Sequence, residues 1–398
     1  VTILDSQGVG SITNDDAAMF SIDDVTHEEG NTGNKIYNFT VTLNNEVDVS
    51  LSVDIATDDY TATIADNDYI KAKSTLNFDG NLGESREMTV LVRGDTKVEL
   101  DETFVMNLSN VQAAGRAVTI SDSQGLGELI NDDAATLAIN DVTHKEGDAD
   151  TTTYTFTVTL NNEVDTTLSV DVATADGAGT TADSDYLSTE GTLSFVGKSG
   201  ESKTIVVSVI GDKNVELDES FSVNLSNMNA TGRAVTISDA QGLGTVINDD
   251  AAGLSINDLA INEGAEGITS LTLTVSLNAQ VDAALTVDFA TTDGTATVAD
   301  GDYTAEADTL TFAGTLDETQ SIMISVNGDP RIEGDENFEV NLVNIQSSGR
   351  TVDFVKSSAT ATILNDDQAD LVIEPALDLI TNEEGKLAFF HLSLQSQP

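Results

Sequence analysis

The chain has 398 residues and a formal net charge of −53, from 69 acidic and 16 basic residues. This charge repels phosphate and anionic lipid, so we expect no nucleic-acid binding and no attachment to an anionic membrane surface. The absence of Cys excludes disulfides and thiolate metal sites. No apolar run approaches the roughly 20 residues of a membrane helix, so we expect no membrane insertion.

The triplet Asn-Asp-Asp recurs every 117 residues, at 14–16, 131–133, 248–250 and 365–367. A period of this kind predicts tandem domains, with a boundary after each triplet. We expect a C-terminal strand of a preceding repeat (1–16), three full repeats (17–133, 134–250 and 251–367) and the start of a fourth, divergent repeat (368–398). We therefore expect the chain to be a segment of a longer array.

Apolar and polar residues alternate in seven runs of the first repeat, which predicts seven β-strands and no useful helix. In chain order they are A (18–24), B (35–43), C (49–56), D (74–78), E (87–93), F (102–108) and G (117–130). Gly125 and Gly127 predict a bulge that breaks strand G. The pattern predicts an all-β fold: an elongated array of tandem seven-stranded antiparallel immunoglobulin-like β-sandwiches.

Strands that run alternately up and down place the A–B, C–D and E–F turns and the exit from G at one end of each sandwich. These four segments carry nine carboxylates in every repeat, and all nine positions are acidic in all three copies. They are Glu29, Asp66, Asp68, Asp95, Glu99, Asp101, Glu102, Asp132 and Asp133; then Glu146, Asp183, Asp185, Asp212, Glu216, Asp218, Glu219, Asp249 and Asp250; then Glu263, Asp300, Asp302, Asp329, Glu333, Asp335, Glu336, Asp366 and Asp367.

Nine carboxylates at one tip repel one another unless a cation neutralises them. Ca²⁺ takes about six to eight oxygen ligands in irregular geometry, which suits ligands from four separate segments. We predict two or more Ca²⁺ per repeat. Mg²⁺ is less suitable because it demands near-octahedral geometry. Zn²⁺ is disfavoured because it favours Cys and His ligands, and the chain has no Cys and only three His. A solvated acidic tip without an ion is the alternative interpretation.

Several motifs recur together: Glu29-Gly30, Asp68-Tyr69, the run 94–104, the Asn-Leu-Ser-Asn at 107–110 and the closing Asn-Asp-Asp. Together they resemble Calx-beta domains, which occur in the regulatory loop of sodium/calcium exchangers, in integrin beta-4 and in large matrix and bacterial surface proteins. The resemblance covers the three full repeats and both partial ones. It implies a seven-stranded sandwich with calcium at the tip beside the domain junction.

Carried over residue by residue, the resemblance implies calcium ligands at Glu29, Asp68, Asp95, Glu99, Glu102, Asp132 and Asp133, with the carbonyl of Lys97 added. Two positions depart from the most acidic members, which often have Asp at the position of Asn131 and in some cases an acid at that of Gly94. These departures imply fewer or weaker ions than in those members.

Three near-identical repeats favour a repeated mechanical role. We expect a calcium-binding structural or adhesive region of a large extracellular or cell-surface protein, in which Ca²⁺ at each junction rigidifies the rod. The expected partners are calcium ions and neighbouring repeats, and self-association and surface ligands stay open. The alternative is a set of intracellular calcium-sensor domains that regulate a transporter. The sequence contains no recognisable nucleophile–base pair, so we expect no enzymatic activity.

Overall fold

The computed structural model describes residues 1–369, 371–374, 383–385 and 389–394. These residues form thirty strands and no helix. Accordingly, nothing in the described ranges is a helix long and apolar enough to cross a membrane. The predicted all-β tandem array is confirmed.

The first repeat contains ten strand segments, because A and G are each divided between two sheets and a short segment precedes D. They are Ala18–Ile22 (β1), Val25–Glu28 (β2), Gly33–Leu43 (β3), Leu51–Asp59 (β4), Tyr69–Ile70 (β5), Lys73–Phe78 (β6), Ser85–Gly94 (β7), Glu102–Gln112 (β8), Val118–Ile120 (β9) and Gln124–Ile130 (β10). Strands A to G of the prediction therefore correspond to β1/β2, β3, β4, β6, β7, β8 and β9/β10.

The next two repeats have the same order of strands without the short segment. The second contains Ala135–Ile139 (β11), Val142–Lys145 (β12), Thr151–Leu160 (β13), Leu168–Ala175 (β14), Glu190–Phe195 (β15), Ser202–Ile210 (β16), Glu219–Asn229 (β17), Val235–Asp239 (β18) and Gln241–Ile247 (β19). The third contains Ala252–Ile256 (β20), Leu259–Asn262 (β21), Gly267–Leu277 (β22), Leu285–Asp293 (β23), Ala307–Phe312 (β24), Thr319–Gly328 (β25), Glu336–Gln346 (β26), Val352–Lys356 (β27) and Ser358–Leu364 (β28).

Each repeat packs two sheets face to face. In the first repeat their strand orders are β5-β7-β3-β1-β9 and β2-β10-β8-β4-β6. Most pairs are antiparallel as predicted, but the two halves of A and G pair in parallel, β1 with β9 and β2 with β10. The parallel pairs bring the end of A and the end of G to the same point of the sandwich.

The predicted position of the break in strand G is wrong. The chain changes sheets at residues 121–123, and Gly125 and Gly127 lie inside β10. These glycines are needed for close packing instead. A Cβ on Gly127 would lie 2.4 Å from the Phe104 ring, and one on Gly125 would lie 2.4 Å from the carbonyl oxygen of Asp23.

Each sandwich has its own aliphatic core around one phenylalanine of strand F, namely Phe104, Phe221 or Phe338, all fully buried. A tyrosine from the segment after the C–D turn stacks on this ring. In the first repeat the centroids of Tyr69 and Phe104 lie 4.6 Å apart. The stacking fixes the end of the C–D turn against the core.

The repeats interlock through the segment between strands E and F, named here the E–F loop (residues 95–101, 212–218 and 329–335). Val98 of the first E–F loop is fully buried and belongs to the core cluster of the second repeat. Its N–H donates to the Glu163 carbonyl at 2.9 Å, and its carbonyl accepts the Asp165 N–H at 3.1 Å. Val215 enters the core of the third repeat in the same way.

The two segments predicted as partial repeats differ from each other. Residues 1–16, predicted as a strand, form none and are exposed throughout, because a strand requires a partner and the described residues provide none for them. In the predicted fourth repeat, Leu371–Glu374 (β29) pairs with His391–Leu394 (β30), Leu371 opposite Leu394. That register is the Phe20–Leu43 pairing of the first repeat displaced by three periods.

Candidate metal centre

The first group of carboxylates lies where A and G end. Because β2 and β10 run in parallel with Glu28 opposite Ile130, the residues that follow them emerge side by side. Each of Glu29, Asp132 and Asp133 presents one oxygen within 4.8 Å of the others. Glu29 and Asp133 are buried. We name this group the first trio.

Hydrogen bonds to the backbone and to an amide hold the first trio in place but leave one oxygen without a partner. The Gly30 N–H donates to Asp132 Oδ1 at 3.1 Å, and Asn31 Nδ2 donates to Asp133 Oδ1 at 2.6 Å. Asp133 Oδ2 is buried with no hydrogen-bond partner, and so are the matching oxygens of Asp250 and Asp367. A buried unpaired carboxylate oxygen is costly, and this one recurs in three repeats at a position where it could bind a cation.

The second group lies between the C–D turn and the E–F loop. Asp68, Glu99 and Glu102 each present one oxygen within 4.8 Å of the others. Asp68 is held by its neighbours, because the Thr63 N–H donates to its Oδ2 at 2.6 Å and the next residue, Tyr69, is stacked in the core. We name this group the second trio.

The remaining three predicted carboxylates of the first repeat surround the trios. Asp95 Oδ1 accepts the N–H of the residue two positions on, at 2.8 Å. Asp66 Oδ2 accepts a threonine hydroxyl at 2.9 Å. Asp101 Oδ1 accepts the N–H of Asn131 at 3.0 Å, so this carboxylate ties the E–F loop to the closing triplet.

The other repeats follow the same plan. Their trios that meet the 4.8 Å distance are Glu146, Asp249 and Asp250 in the second repeat and Asp302, Glu333 and Glu336 in the third. Two further trios do not meet it but interact electrostatically: Asp185, Glu216 and Glu219, and Glu263, Asp366 and Asp367. The surrounding acids that accept local hydrogen bonds are Asp183, Asp212, Asp218, Asp300, Asp329 and Asp335.

Burial and mutual repulsion raise the pKa of the glutamates at the tip. Desolvation, followed by the charge of Glu99 and of the neighbouring aspartates, raises the pKa of Glu29 to about 8. Desolvation and the charge of Asp68 raise the pKa of Glu102 to about 8. The pKa of Glu146 is likewise about 8, and that of Glu263 is about 7. These glutamate side chains are therefore stabilised by binding either a proton or a cation.

Two residues that depart from the most acidic family members have structural roles that sequence reasoning missed. Asn131 Oδ1 accepts the Glu99 N–H at 3.1 Å, and its Nδ2 donates to the Asp133 carbonyl at 2.9 Å. An aspartate could not make the second bond. Gly94 must be glycine because a Cβ would lie 1.7 Å from the Gly30 carbonyl oxygen. The recurrence of both residues in all three copies was the available signal.

Replacing Asn131 with alanine is expected to destabilise the tip by about 1–3 kcal/mol, because the Glu99 N–H and the Asp133 carbonyl each lose a partner. Hydrogen exchange of the Glu99 amide and thermal unfolding measure this loss. Asn38→Ala is the control, because its side chain bonds only to the Thr89 hydroxyl on an exposed sheet face. Equal effects of the two substitutions would contradict the assigned role.

Comparison with known proteins bears on this architecture. The family model for the Calx-beta domain matches residues 13–143, 131–251 and 248–367. The chain belongs to the Calx-beta family. Its three full repeats are therefore tandem Calx-beta domains, and the resemblance seen in the motifs is confirmed.

Three of the solved structures that the search found are of Calx domains. The apo-form Calx CBD1 domain is 25% identical, with 30% of this chain and all of that chain covered, at a TM-score of 0.26. CBD12 from CALX1.2 is 18% identical, with 57% and 99% covered, at a TM-score of 0.26. The calcium binding domain CBD12 of CALX1.1 is 18% identical, with 56% and 98% covered, at a TM-score of 0.28.

Proposed function

We propose that each Calx-beta repeat binds Ca²⁺ through its two trios and that the bound ions stiffen the junction with the next repeat. The observation that carries this proposal is the buried, unpartnered Oδ2 of Asp133, repeated at Asp250 and Asp367. A cation supplies the missing partner and removes the repulsion that raises the pKa of Glu29.

The donor set favours calcium among the common divalent ions. All six side chains of the two trios of the first repeat provide carboxylate oxygens, which are hard ligands. They come from three loops and from the exit of G, so their geometry is irregular, which Ca²⁺ tolerates and Mg²⁺ does not. Two trios per repeat support two or more ions.

The E–F loop connects the proposed calcium site to the junction between the first and second repeats. Glu99 belongs to the second trio, and the preceding residue, Val98, is buried in the core of the next repeat. An ion that holds Glu99 in place therefore also holds the E–F loop, whose Val98 packs in the core of the next repeat. Without the ion, repulsion among the carboxylates works against the loop conformation that docks Val98.

We place this role outside the cell, in a structural or adhesive array. A net charge of −53 repels itself unless cations gather on the chain, and extracellular calcium is a millimolar reservoir. Extracellular calcium modules have dissociation constants of about 10⁻⁴–10⁻³ M, whereas intracellular sensors lie at about 10⁻⁷–10⁻⁵ M. Isothermal titration of the chain therefore distinguishes the array from a transporter-regulating sensor.

The rod itself can be tested by small-angle X-ray scattering. We expect a longer maximum dimension and a narrower distribution of shapes in millimolar Ca²⁺ than in chelator, because the ions fix the orientation of successive repeats. A magnesium arm at the same ionic strength controls for screening of the net charge. Identical scattering curves in calcium and in chelator would contradict the stiffening role.

The raised glutamate pKa values predict a pH dependence. Between the ordinary value of 4.5 and about 8, folded Glu29 and Glu102 bind more protons than the unfolded chain, so ion-free stability falls as pH rises across that window. Calcium displaces these protons, so binding at pH 7 releases roughly two protons in the first repeat. Isothermal titration of calcium in buffers of different ionisation enthalpy measures the number of protons released. An ion-free melting temperature that rises from pH 5 to pH 8 would contradict the assignment.

A further inference from the structure

The E–F loops of the three repeats differ in charge at one position beside the second trio. Lys97 of the first repeat corresponds to Asn214 of the second and to Arg331 of the third. The backbone is held in the same way at all three, because the N–H of each residue donates to the aspartate two positions earlier, at 2.7 or 2.8 Å. The side chain at this position is therefore what differs between the loops.

In the first repeat this side chain lies on the second trio. The ammonium group of Lys97 forms an ion pair with Oε1 of Glu99, a member of that trio. The side chain of Glu99 is only 13% exposed and that of Lys97 is 31% exposed, so the pair is partly withdrawn from solvent. In the third repeat, Arg331 Nη1 lies 3.1 Å from Glu333 Oε1. In both repeats a positive charge of the chain itself thus contacts a carboxylate that we assign to calcium.

The second repeat has no such charge at the equivalent position. Asn214 Nδ2 donates instead to Asp212 Oδ2, at 2.8 Å. Among the described residues, Glu216 has no ion-pair partner within 4.0 Å. The oxygens of the second trio follow the same division, because they lie within 4.8 Å of one another in the first and third repeats but not in the second. A basic side chain on the glutamate thus accompanies a closed trio, as expected if it offsets the repulsion among the carboxylates.

The arginine of the following repeat does not explain this difference, because it is present at both junctions. Arg233 interacts electrostatically with Glu99, and Arg350 interacts in the same way with Glu216. Each arginine is held by two hydrogen bonds to an aspartate of its own repeat. The first and second repeats share this neighbouring charge and differ in the lysine or asparagine of the E–F loop.

We propose that Lys97 is a tethered cation that occupies the second trio of the first repeat and competes with calcium for it, so that the second trio of the second repeat, which has Asn214, binds calcium first. This inference rests on the proposed function, because it concerns the affinity of the same sites. Calcium must separate Lys97 from Glu99, and the released ammonium stays near Asp95 and Asp165, with which it already interacts. The repeats then bind calcium in succession as its concentration rises.

A swap of the two residues tests this competition without changing the net charge. The double variant Lys97→Asn/Asn214→Lys moves one positive charge from the first E–F loop to the second. Hydrogen exchange of the whole chain, measured by mass spectrometry over a series of free calcium concentrations, gives a separate midpoint for residues 95–101 and for residues 212–218.

In the wild type, residues 212–218 should become protected at the lower calcium concentration. In the swapped chain the midpoint for residues 95–101 should fall and that for residues 212–218 should rise, each by about fivefold or more, because the ion pair that calcium must break has moved. A wild-type chain in which residues 95–101 are protected first, or midpoints that do not move in opposite directions in the swapped chain, would overturn the inference.

Amine-reactive labelling reports the displaced side chain itself. In chelator Lys97 should react slowly, because its ammonium is paired with Glu99. Calcium should increase its reactivity, whereas the exposed Lys71 is the control and should react equally in both conditions. Reactivity of Lys97 that calcium leaves unchanged or lowers would overturn this inference alone. If calcium protected neither E–F loop, the proposed function would fail, and this inference would fail with it.

Discussion

Replacing Asp132 and Asp133 together with asparagine is expected to weaken calcium binding in the first repeat by at least about 100-fold. Two unit charges about 4 Å apart interact by about 4 kcal/mol at an effective dielectric constant of 20, so the loss of two charges next to a dication exceeds that factor. Asparagine keeps the size of each side chain. Isothermal titration should show fewer ions bound, with the sites of the other repeats retained.

The same double substitution should stabilise the ion-free protein, because Asp132 and Asp133 are among the charges that raise the pKa of Glu29. Its melting temperature in chelator should rise while the gain on adding calcium falls. Glu87→Gln is the matched control, because Glu87 is exposed and lies near the start of β7, whose other end reaches the tip. Unaltered calcium stoichiometry would contradict the assignment of the first trio.

Replacing Val98 with aspartate is expected to separate the first and second repeats. The substitution places a charge in the core of the second repeat, where Val98 is fully buried. An unpaired buried charge costs several kcal/mol, which the two backbone hydrogen bonds to Glu163 and Asp165 do not offset. The E–F loop should leave its site, and the second repeat should unfold at a lower temperature.

Scattering and calorimetry measure this uncoupling, and the chain contains its own control. Ile332→Asp changes the equivalent residue of the third repeat, which is half-buried, so it should cost far less. Val98→Ala should fall between the two, at about 1–3 kcal/mol, because it leaves a cavity without adding a charge. Equal effects of Val98→Asp and Ile332→Asp would contradict the role of Val98 in joining the first and second repeats.

The sequence was sufficient to predict the parts that depend on local periodicity. Alternation along β3 and β4 predicts strands, and the parity of seven strands places the loops that carry Glu29, Asp68 and Glu102 at one end. Comparison of the three repeats adds a second kind of information, because it separates positions that are acidic in all three copies from positions that vary. These two signals locate both trios without any knowledge of distances.

Other features depend on contacts that no local pattern records. Val98 is a single apolar residue in an acidic loop, and its partner Val164 belongs to the next repeat, so periodicity does not mark it. The division of strands A and G between two sheets depends on parallel pairing across about 100 residues of chain. From sequence alone, Asn131 implies fewer or weaker ions, because its two hydrogen bonds are visible only in three dimensions.

Thermal unfolding of the whole chain in calcium, in magnesium and in chelator tests calcium binding most directly. The buried unpartnered oxygens of Asp133, Asp250 and Asp367 gain a ligand only when a suitable ion is present. Binding to the folded state alone raises stability by about 1.4 kcal/mol per ion when the ion is at about ten times its dissociation constant, and several ions add up. We predict a large rise in melting temperature with millimolar calcium and a much smaller one with magnesium. Identical melting temperatures in calcium and in chelator would contradict the account.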